Sequence, residues 1–484
     1  MISALGRLAP DETSLTARQR SFAFFTLLVA LVLEIVDLTI VNTALPSIER
    51  NLGAAGTQSQ WIVAGYSLSF ATLLILGGRL GDIFGGRTMF LLGVAGFTIA
   101  SGLCGLAHST EQLVAARFLQ GATGAIMGPQ VMTMIQILYD PVERIGRMAW
   151  FGVIGGLSAI AGPILGGLLI ALNPLGLSWR AVFLINIPIG IAALVAGTLL
   201  LPRTARYAER RIDWIGTASF GAALAAFLIP LMEGGDRNWS ARSLGWFVVA
   251  AMLAVLGWRG LKVRALRGRP AIIHPQLFRN DTFRISILIS LAFSAANTGF
   301  LFIFAYGLQR GLGYSALGTG LMHMPFSIGV MFGMAFLGRR YLAHYGKWVL
   351  FIGSLVMASG CGATLLWMAS GKLSFIVVAP FLVVAGAGMG MVSGPLGSVA
   401  VSRVERQQAG SASGMLKTVQ QMGGALGVAI GGSAYFIFEG AYRGAGELGA
   451  LVLVEIAMGV VATLALRLPN DIFARAPTGS PRSE

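Results

Sequence analysis

The chain has 484 residues, of which 55% are hydrophobic and only 11% charged, and its mean hydropathy is +0.76. Soluble globular domains carry about 25% charged residues, so this composition excludes a soluble fold and implies a surface that faces membrane lipid. The net charge of +15 does not indicate a nucleic-acid partner, because Lys and Arg fall in short clusters between apolar runs rather than on one face or tail.

Runs of about 20 mostly apolar residues span a bilayer as helices. In chain order such runs predict fourteen spans: 22–45, 60–78, 88–107, 112–138, 148–172, 181–201, 214–232, 243–261, 283–308, 316–338, 348–370, 373–398, 408–437 and 448–466. Residues 1–21 form a polar, basic tail with Arg7, Arg18 and Arg20. The first apolar run continues past Asp37, which reads as a first span and not as a cleaved signal peptide. Fourteen spans put both termini on one side. Arg50, Arg180, Arg237, Arg242, Arg310, Lys372 and Arg443 fall on the opposite side, and Arg117 and Lys417 fall inside spans. The remaining Lys and Arg, out of 35, lie on the side of the termini, which places both termini in the cytoplasm of a plasma (inner) membrane protein. The longest and most basic loop, Arg259 to Arg284, divides the chain. The expected organisation is a cytoplasmic tail (1–21), a six-helix bundle (22–202), two inserted helices with a basic loop (203–282), a second six-helix bundle (283–466) and a cytoplasmic tail (467–484). Secondary transporters are commonly built from two such repeats, with the substrate at the midplane between them.

Charged side chains at bilayer depth cost about 2.5–3.5 kcal/mol on insertion scales, so those present point to function. Glu34 and Asp37 lie deep in span 1, three residues apart and on one helical face. Two close carboxylates in a low dielectric do not both ionise cheaply, so one is expected to keep a proton, as a proton carrier must. Arg117 in span 4 is placed to bias a nearby carboxylate. Gly78-Arg79-Leu80-Gly81-Asp82-Ile83-Phe84-Gly85-Gly86-Arg87 follows span 2 as a Gly-rich, charged turn able to lock helix ends. In span 5, Gly155, Gly162, Pro163, Gly166 and Gly167 combine close-packing spacing with a helix bend. Span 9 is rich in phenylalanine (Phe293, Phe300, Phe302, Phe304); these and Met389 and Met391 either line an adaptable apolar cavity or face lipid. His323 in span 10 reads foremost as a hydrogen-bonded core histidine, and Lys417 in span 13 is expected to snorkel to the cytoplasmic face. Cys104 and Cys361 sit apart in apolar runs with no metal-ligand spacing. The absence of a Gly-x-x-x-x-Gly-Lys-Ser/Thr loop and of nucleophile motifs gives no cofactor, no nucleotide and no enzyme.

Several of these segments, in this order, resemble the drug:proton antiporters of the major facilitator superfamily with fourteen spans, the EmrB/QacA type. The stretch Asp37 to Pro46 is similar to that family's first-helix motif, and Gln60-Trp61 with Tyr66 to the start of its second helix. Gly78 to Arg87 matches its signature loop. Arg117-Phe118-Leu119-Gln120-Gly121 with Gly124 resembles its arginine motif, and Gly155 to Gly167 its antiporter motif. Trp179-Arg180, Phe183, Asn186 and Pro188 resemble its sixth helix, and the glycines of span 13 its corresponding helix. The chain departs from the pattern at Glu34, where the family carries an apolar residue, and at Leu342, where the second-half counterpart of the signature loop would carry an acid. The resemblance implies an all-α membrane protein of two six-helix bundles plus two helices between them, exporting lipophilic small molecules, cationic ones if Glu34 tunes the site, in exchange for protons. It implies proton coupling at Asp37, Glu34 and Arg117. The substrate cavity is expected to include Glu34, Asp37, Asn42, Trp61, Tyr66, Gln120, Asn297 and His323. Gating is expected at Gly78, Asp82, Gly85, Arg87, Gly155, Gly162, Pro163, Gly166 and Gly167. A periplasmic adaptor protein is a partner in some relatives. Export of one metabolite (an antibiotic, pigment or siderophore) and, more remotely, proton symport remain open.

Overall fold

A computed structural model describes residues 16–469, except 55, 205–212, 238–240, 268–274, 339–340, 343–344, 372–373, 405–408 and 442–444. Most of both tails, much of the basic loop, Lys372, Arg443 and part of the second-half counterpart of the signature loop therefore lie outside the described residues.

The chain folds as helices α1 (Ala17–Leu52), α2 (Gly56–Phe84), α3 (Gly86–Gly105), α4 (Thr110–Leu138), α5 (Pro141–Leu172), α6 (Ser178–Leu200), α7 (Trp214–Arg237), α8 (Ala241–Leu266), α9 (Asp281–Tyr306), α10 (Ala316–Phe332), α11 (Trp348–Ala369), α12 (Phe375–Val401), α13 (Ala409–Ala441) and α14 (Gly446–Leu466). Helix starts follow capping chemistry. Thr16 and Gln19 form a reciprocal capping box at α1, and Ser109, Asn280 and Ser315 accept amide hydrogen bonds at α4, α9 and α10. Among the described residues, twelve helices are long and apolar enough to cross a membrane. They coincide with twelve of the fourteen expected spans; the runs at 112–138 and 316–338 are the two that differ. In α4 the polar side chains of Gln112, Arg117, Gln120, Gln130 and Gln136 dilute the apolar character. The run at 316–338 is interrupted: α10 turns at His323, where Pro325 has no amide to continue the ladder, and beyond Phe332 it widens into a π-helical turn over Gly333–Gly338.

Helices α1–α6 pack on one another, as do α9–α14, and two seams join the groups, α2 against α13 and α5 against α10. Lipid offers no hydrophobic drive between helices, so close backbone approach through small residues holds them. A Cβ on Gly93 would sit 2.8 Å from the Met127 backbone, joining α3 to α4. One on Gly427 would sit 2.8 Å from the Ala295 carbonyl carbon, joining α9 to α13. Helix α7 lies across the α2/α13 seam: Thr57 Oγ1 donates to the Met232 carbonyl and Ser433 Oγ to that of Leu231. Helix α8 packs on α7 and is otherwise largely uncovered. Phe293, Phe300, Phe302 and Phe304 are all buried in the core, so neither a lipid-facing nor a freely exposed role applies to them. Met391 is buried and Met389 packs against the same cluster.

Candidate functional site

The signature segment is mostly helix, not loop. Helix α2 runs on to Phe84, and the corner is the single residue Gly85, whose φ of +93° suits only glycine. Gly77 and Gly81 let α2 lie against α4, where Gln130 Nε2 donates to the Gly77 carbonyl at 2.8 Å; Gly78 faces Pro129 at 3.8 Å. Arg87 ties the start of α3 to the end of α6 by donating to the Thr198 carbonyl, and its amide reaches Thr204 Oγ1 at 3.4 Å. Asp82 lies in the last turn of α2 and is partly exposed.

Span 5 connects the two groups of helices. An added Cβ on Gly162 would clash with Thr39 Oγ1 of α1 and one on Gly166 with Thr43 Oγ1 of the same helix, and Gly155 faces Ile35 at 3.4 Å. One residue on, Gly167 faces the other group: its Cβ would lie 2.7 Å from Leu317 Cα on α10. The Pro163 carbonyl would lie 2.5 Å from a Cβ on Gly320. The motif helix is thus wedged between α1 and α10 at backbone distance. Gly167→Leu is expected to insert normally yet transport at under about a tenth of the wild-type rate, since overpacked seams must shift their backbones. A vesicle transport assay with a surface-biotinylation control checks this, and unchanged transport would refute it.

The intramembrane charges form two separate pairs. Asp37 and Arg117, both fully buried, approach to 2.5 Å between Oδ2 and Nη1. Asp37 Oδ1 also accepts from Gln120 Nε2 at 2.7 Å and from Asn186 Nδ2 at 3.2 Å. Ser101 Oγ accepts from both amides. Arg117 donates from Nε to the Ile62 carbonyl at 3.0 Å and from Nη1 to Gln120 Oε1 at 2.7 Å, while its guanidinium lies 4.5 Å from the Tyr66 ring centroid. A buried ion pair persists only when its remaining lone pairs and protons are met; here α1, α2, α3, α4 and α6 all contribute partners. Arg117 Nη2 is left without one. Protonation of such a carboxylate would remove the negative charge that pairs with the guanidinium, though its oxygens can still accept hydrogen bonds.

Glu34 does not share this site. Its Oε1 meets Lys417 Nζ at 2.7 Å, a bond from α1 to α13 across the two groups of helices. Lys417 therefore does not snorkel to the end of its helix. The other expected cavity residues are spread more widely. Tyr66 stacks on Phe70 at 5.8 Å with its hydroxyl unpartnered. Trp61 packs against Phe118 at 6.0 Å. Asn42 is buried and Asn297 half-buried, each with Oδ1 unpartnered. His323 is a core residue, bonded through Nδ1 to the Thr319 carbonyl at 2.8 Å and set edge-on to Phe304 at 4.9 Å.

Three contributors were not singled out as site residues from sequence. Asn186 was visible in the sixth-helix motif, but nothing local aims it at Asp37. Lys417 needed its partner 383 residues away. The third is a cluster at the end of α1 away from the N-terminus. Glu49, buried, accepts from Ser59 Oγ, from Tyr306 Oη at 3.2 Å and from Arg310 Nε, 3.3 Å away, and Gln309 Nε2 donates to the Thr43 carbonyl at 3.0 Å. The contacts of Glu49 with Tyr306 and Arg310 and that of Gln309 with Thr43 close the two groups of helices on each other at that end, while Ser59 fixes Glu49 from within its own group. The Arg310 side chain is 52% exposed, so its charge contributes under about 1 kcal/mol. Glu49→Ala is expected to increase maleimide labelling of a cysteine placed at Leu308, which is fully buried here, several-fold; equal labelling would show that the cluster does not hold that end shut.

The Major Facilitator Superfamily model matches residues 27–428. The chain is 36% identical over 445 residues to the "Probable actinorhodin transporter" of Streptomyces coelicolor, covering 89% of this chain and 77% of that one. It is 33% identical to the "Tetracenomycin C resistance and export protein" of Streptomyces glaucescens, covering 82% and 72%. It is 28% identical to the "Putative multidrug resistance protein MdtD" of Escherichia coli O81, covering 97% and 96%. Its fold is similar to that of a crystal structure of a bacterial homologue of the human lysosomal transporter Spinster, in an inward-facing and occupied conformation, with a TM-score of 0.68, 17% identity and coverage of 96% and 100%. With the family model matching residues 27–428, this protein belongs to the Major Facilitator Superfamily and is a multi-pass membrane transporter, not an enzyme.

Proposed function

We propose that this chain is a proton-coupled antiporter that exports lipophilic small molecules by alternating access. The observation that carries the reading is the Asp37–Arg117 pair: a fully buried acid whose counter-ion is tethered to a neighbouring helix. Proton uptake at Asp37 from outside frees Arg117 and loosens α1 from α4, the cargo leaves, and proton release to the cytoplasm resets the pair. The two bundles of six helices, α1–α6 and α9–α14, rock about the α2/α13 and α5/α10 seams. Helices α7 and α8 are the insertion that brings the number of spans to fourteen, counting α4 and the broken α10 as crossing. The Lys and Arg bias supports a cytoplasmic side for the N-terminus. Export rests on the span-5 motif and on relatives named for export and resistance. The expectation of cationic cargo rested on Glu34 as a negative charge in the cavity, and its bond to Lys417 removes that reason.

The test is transport in inside-out vesicles, where an acidic interior should drive accumulation of a hydrophobic dye and a protonophore should abolish it. Accumulation unaffected by the protonophore would refute proton coupling. A dedicated exporter of one metabolite is the second reading, favoured by the 36% identity to a relative named for a single compound. A susceptibility panel in a pump-deleted host separates the two.

A further inference from the structure

Glu455 stands near the middle of α14 (Gly446–Leu466), and its side chain is exposed. Helix α14 packs on α9, α11 and α13, all of its own group, so its free face points away from the two seams. Around Glu455 that face is apolar, with Val452, Ile456 and Val460 exposed on α14 and Leu355 and Leu366 on α11. In a membrane-spanning helix such a face meets lipid. The carboxyl group does not reach for a helix end. Its Oε1 would lie 2.7 Å from a Cβ on Gly362, inside α11 (Trp348–Ala369). Among the described residues Glu455 makes no hydrogen bond and no ion pair. Glu34 and Asp37 meet cations within the fold, whereas Glu455 turns outward. Lipid tails supply neither donor nor acceptor, and a polar or charged group at this depth is costly unless another group meets it.

What can meet it follows from symmetry. Two copies of this chain insert with one orientation, so their α14 helices run in the same direction and equal residues share a depth. A neutral carboxyl group carries both a donor and an acceptor. Two of them at one depth therefore satisfy each other across a two-fold axis, as an isologous contact requires. Gly459, one turn along the same face, has open space where a side chain would stand. A residue without a side chain at that place lets two helix backbones approach. Thr463, one turn further, spends its hydroxyl on the Gly459 carbonyl at 2.8 Å and so adds no unmet group to the contact. We propose that the Glu455 face of α14 is a homodimer interface, in which the carboxyl groups of two copies bond to each other within the bilayer. This goes beyond the transport reading and does not depend on the direction or coupling of transport.

The test is oxidative cross-linking of the full-length chain in lipid vesicles at a high ratio of lipid to protein. The background replaces the two buried cysteines, Cys104→Ala and Cys361→Ala. Val452→Cys and Gly459→Cys, which flank Glu455 on its own face, should each give a product of twice the chain mass. Ile99→Cys, 63% exposed on α3, should not. Glu455→Leu, a side chain that suits lipid, should lower the cross-linked fraction about five- to tenfold, as expected for the loss of hydrogen bonds between membrane helices. Glu455→Gln should retain it, since an amide also donates and accepts. Cross-linking at α14 no greater than at Ile99, a fraction unchanged by E455L, or an equal loss in E455L and E455Q would overturn the proposal. So would a product of another mass when the same variants are cross-linked in cell membranes, because a different protein would then cover Glu455. If E455L fails to insert, Glu455→Ala takes its place with the same expected loss.

Discussion

Asp37→Asn is expected to abolish pH-gradient-driven efflux while the protein still inserts and still exchanges cargo. The substitution preserves shape. An asparagine Oδ1 can accept from Gln120 and Asn186 as the carboxylate does, at the 2.7 and 3.2 Å seen here. What it cannot do is bind and release a proton, so the cycle loses its coupling step and not its hinge. Arg117 loses its counter-ion but keeps its bonds to the Ile62 carbonyl and Gln120 and its contact with Tyr66, so the fold is weakened and not lost. Paired assays in vesicles check this: uphill efflux against downhill exchange of labelled cargo. A variant that pumps normally against a pH gradient would show that the coupling acid lies elsewhere.

Arg117→Ala should also destabilise the fold, and a second substitution should repair much of it. Removing one partner of a buried pair leaves the other charge uncompensated, at a cost of about 3–5 kcal/mol. Asp37 is sealed from water and retains only the two amide donors in that variant. The double variant Asp37→Asn with Arg117→Ala contains no buried charge at this site, so its melting temperature should recover most of the loss. Its coupled efflux should not recover. Thermal melting of the three variants in detergent checks the prediction. Equal instability of the single R117A variant and the double variant would mean that Arg117 holds the fold through Ile62 and Tyr66 and not through the ion pair.

Much of this protein was legible in its sequence because the bilayer enforces strict local rules. Backbone groups in lipid must be satisfied within their own helix, so apolar runs predict helices with small error, and twelve of the expected spans appear as long apolar helices. Intramembrane charges are costly, so Asp37, Glu34 and Arg117 stood out by residue type alone, and the glycines of span 5 announced close packing by their spacing. Tertiary structure decided what each of these touches. Glu34 and Asp37 share a face by periodicity, yet they meet different cations, because Arg117 reaches Asp37 from α4 while Lys417 reaches Glu34 from α13. The break at His323 needed Pro325 and the packing around it, since hydropathy sees composition and not a missing amide. Gly167 reads as one more small residue until α10 is found against it. Composition and periodicity act along one helix, so they determined the membrane class, the helices and the residues worth attention. Ion pairs and seams join side chains tens to hundreds of positions apart, and only the packed chain brings those atoms within bonding distance.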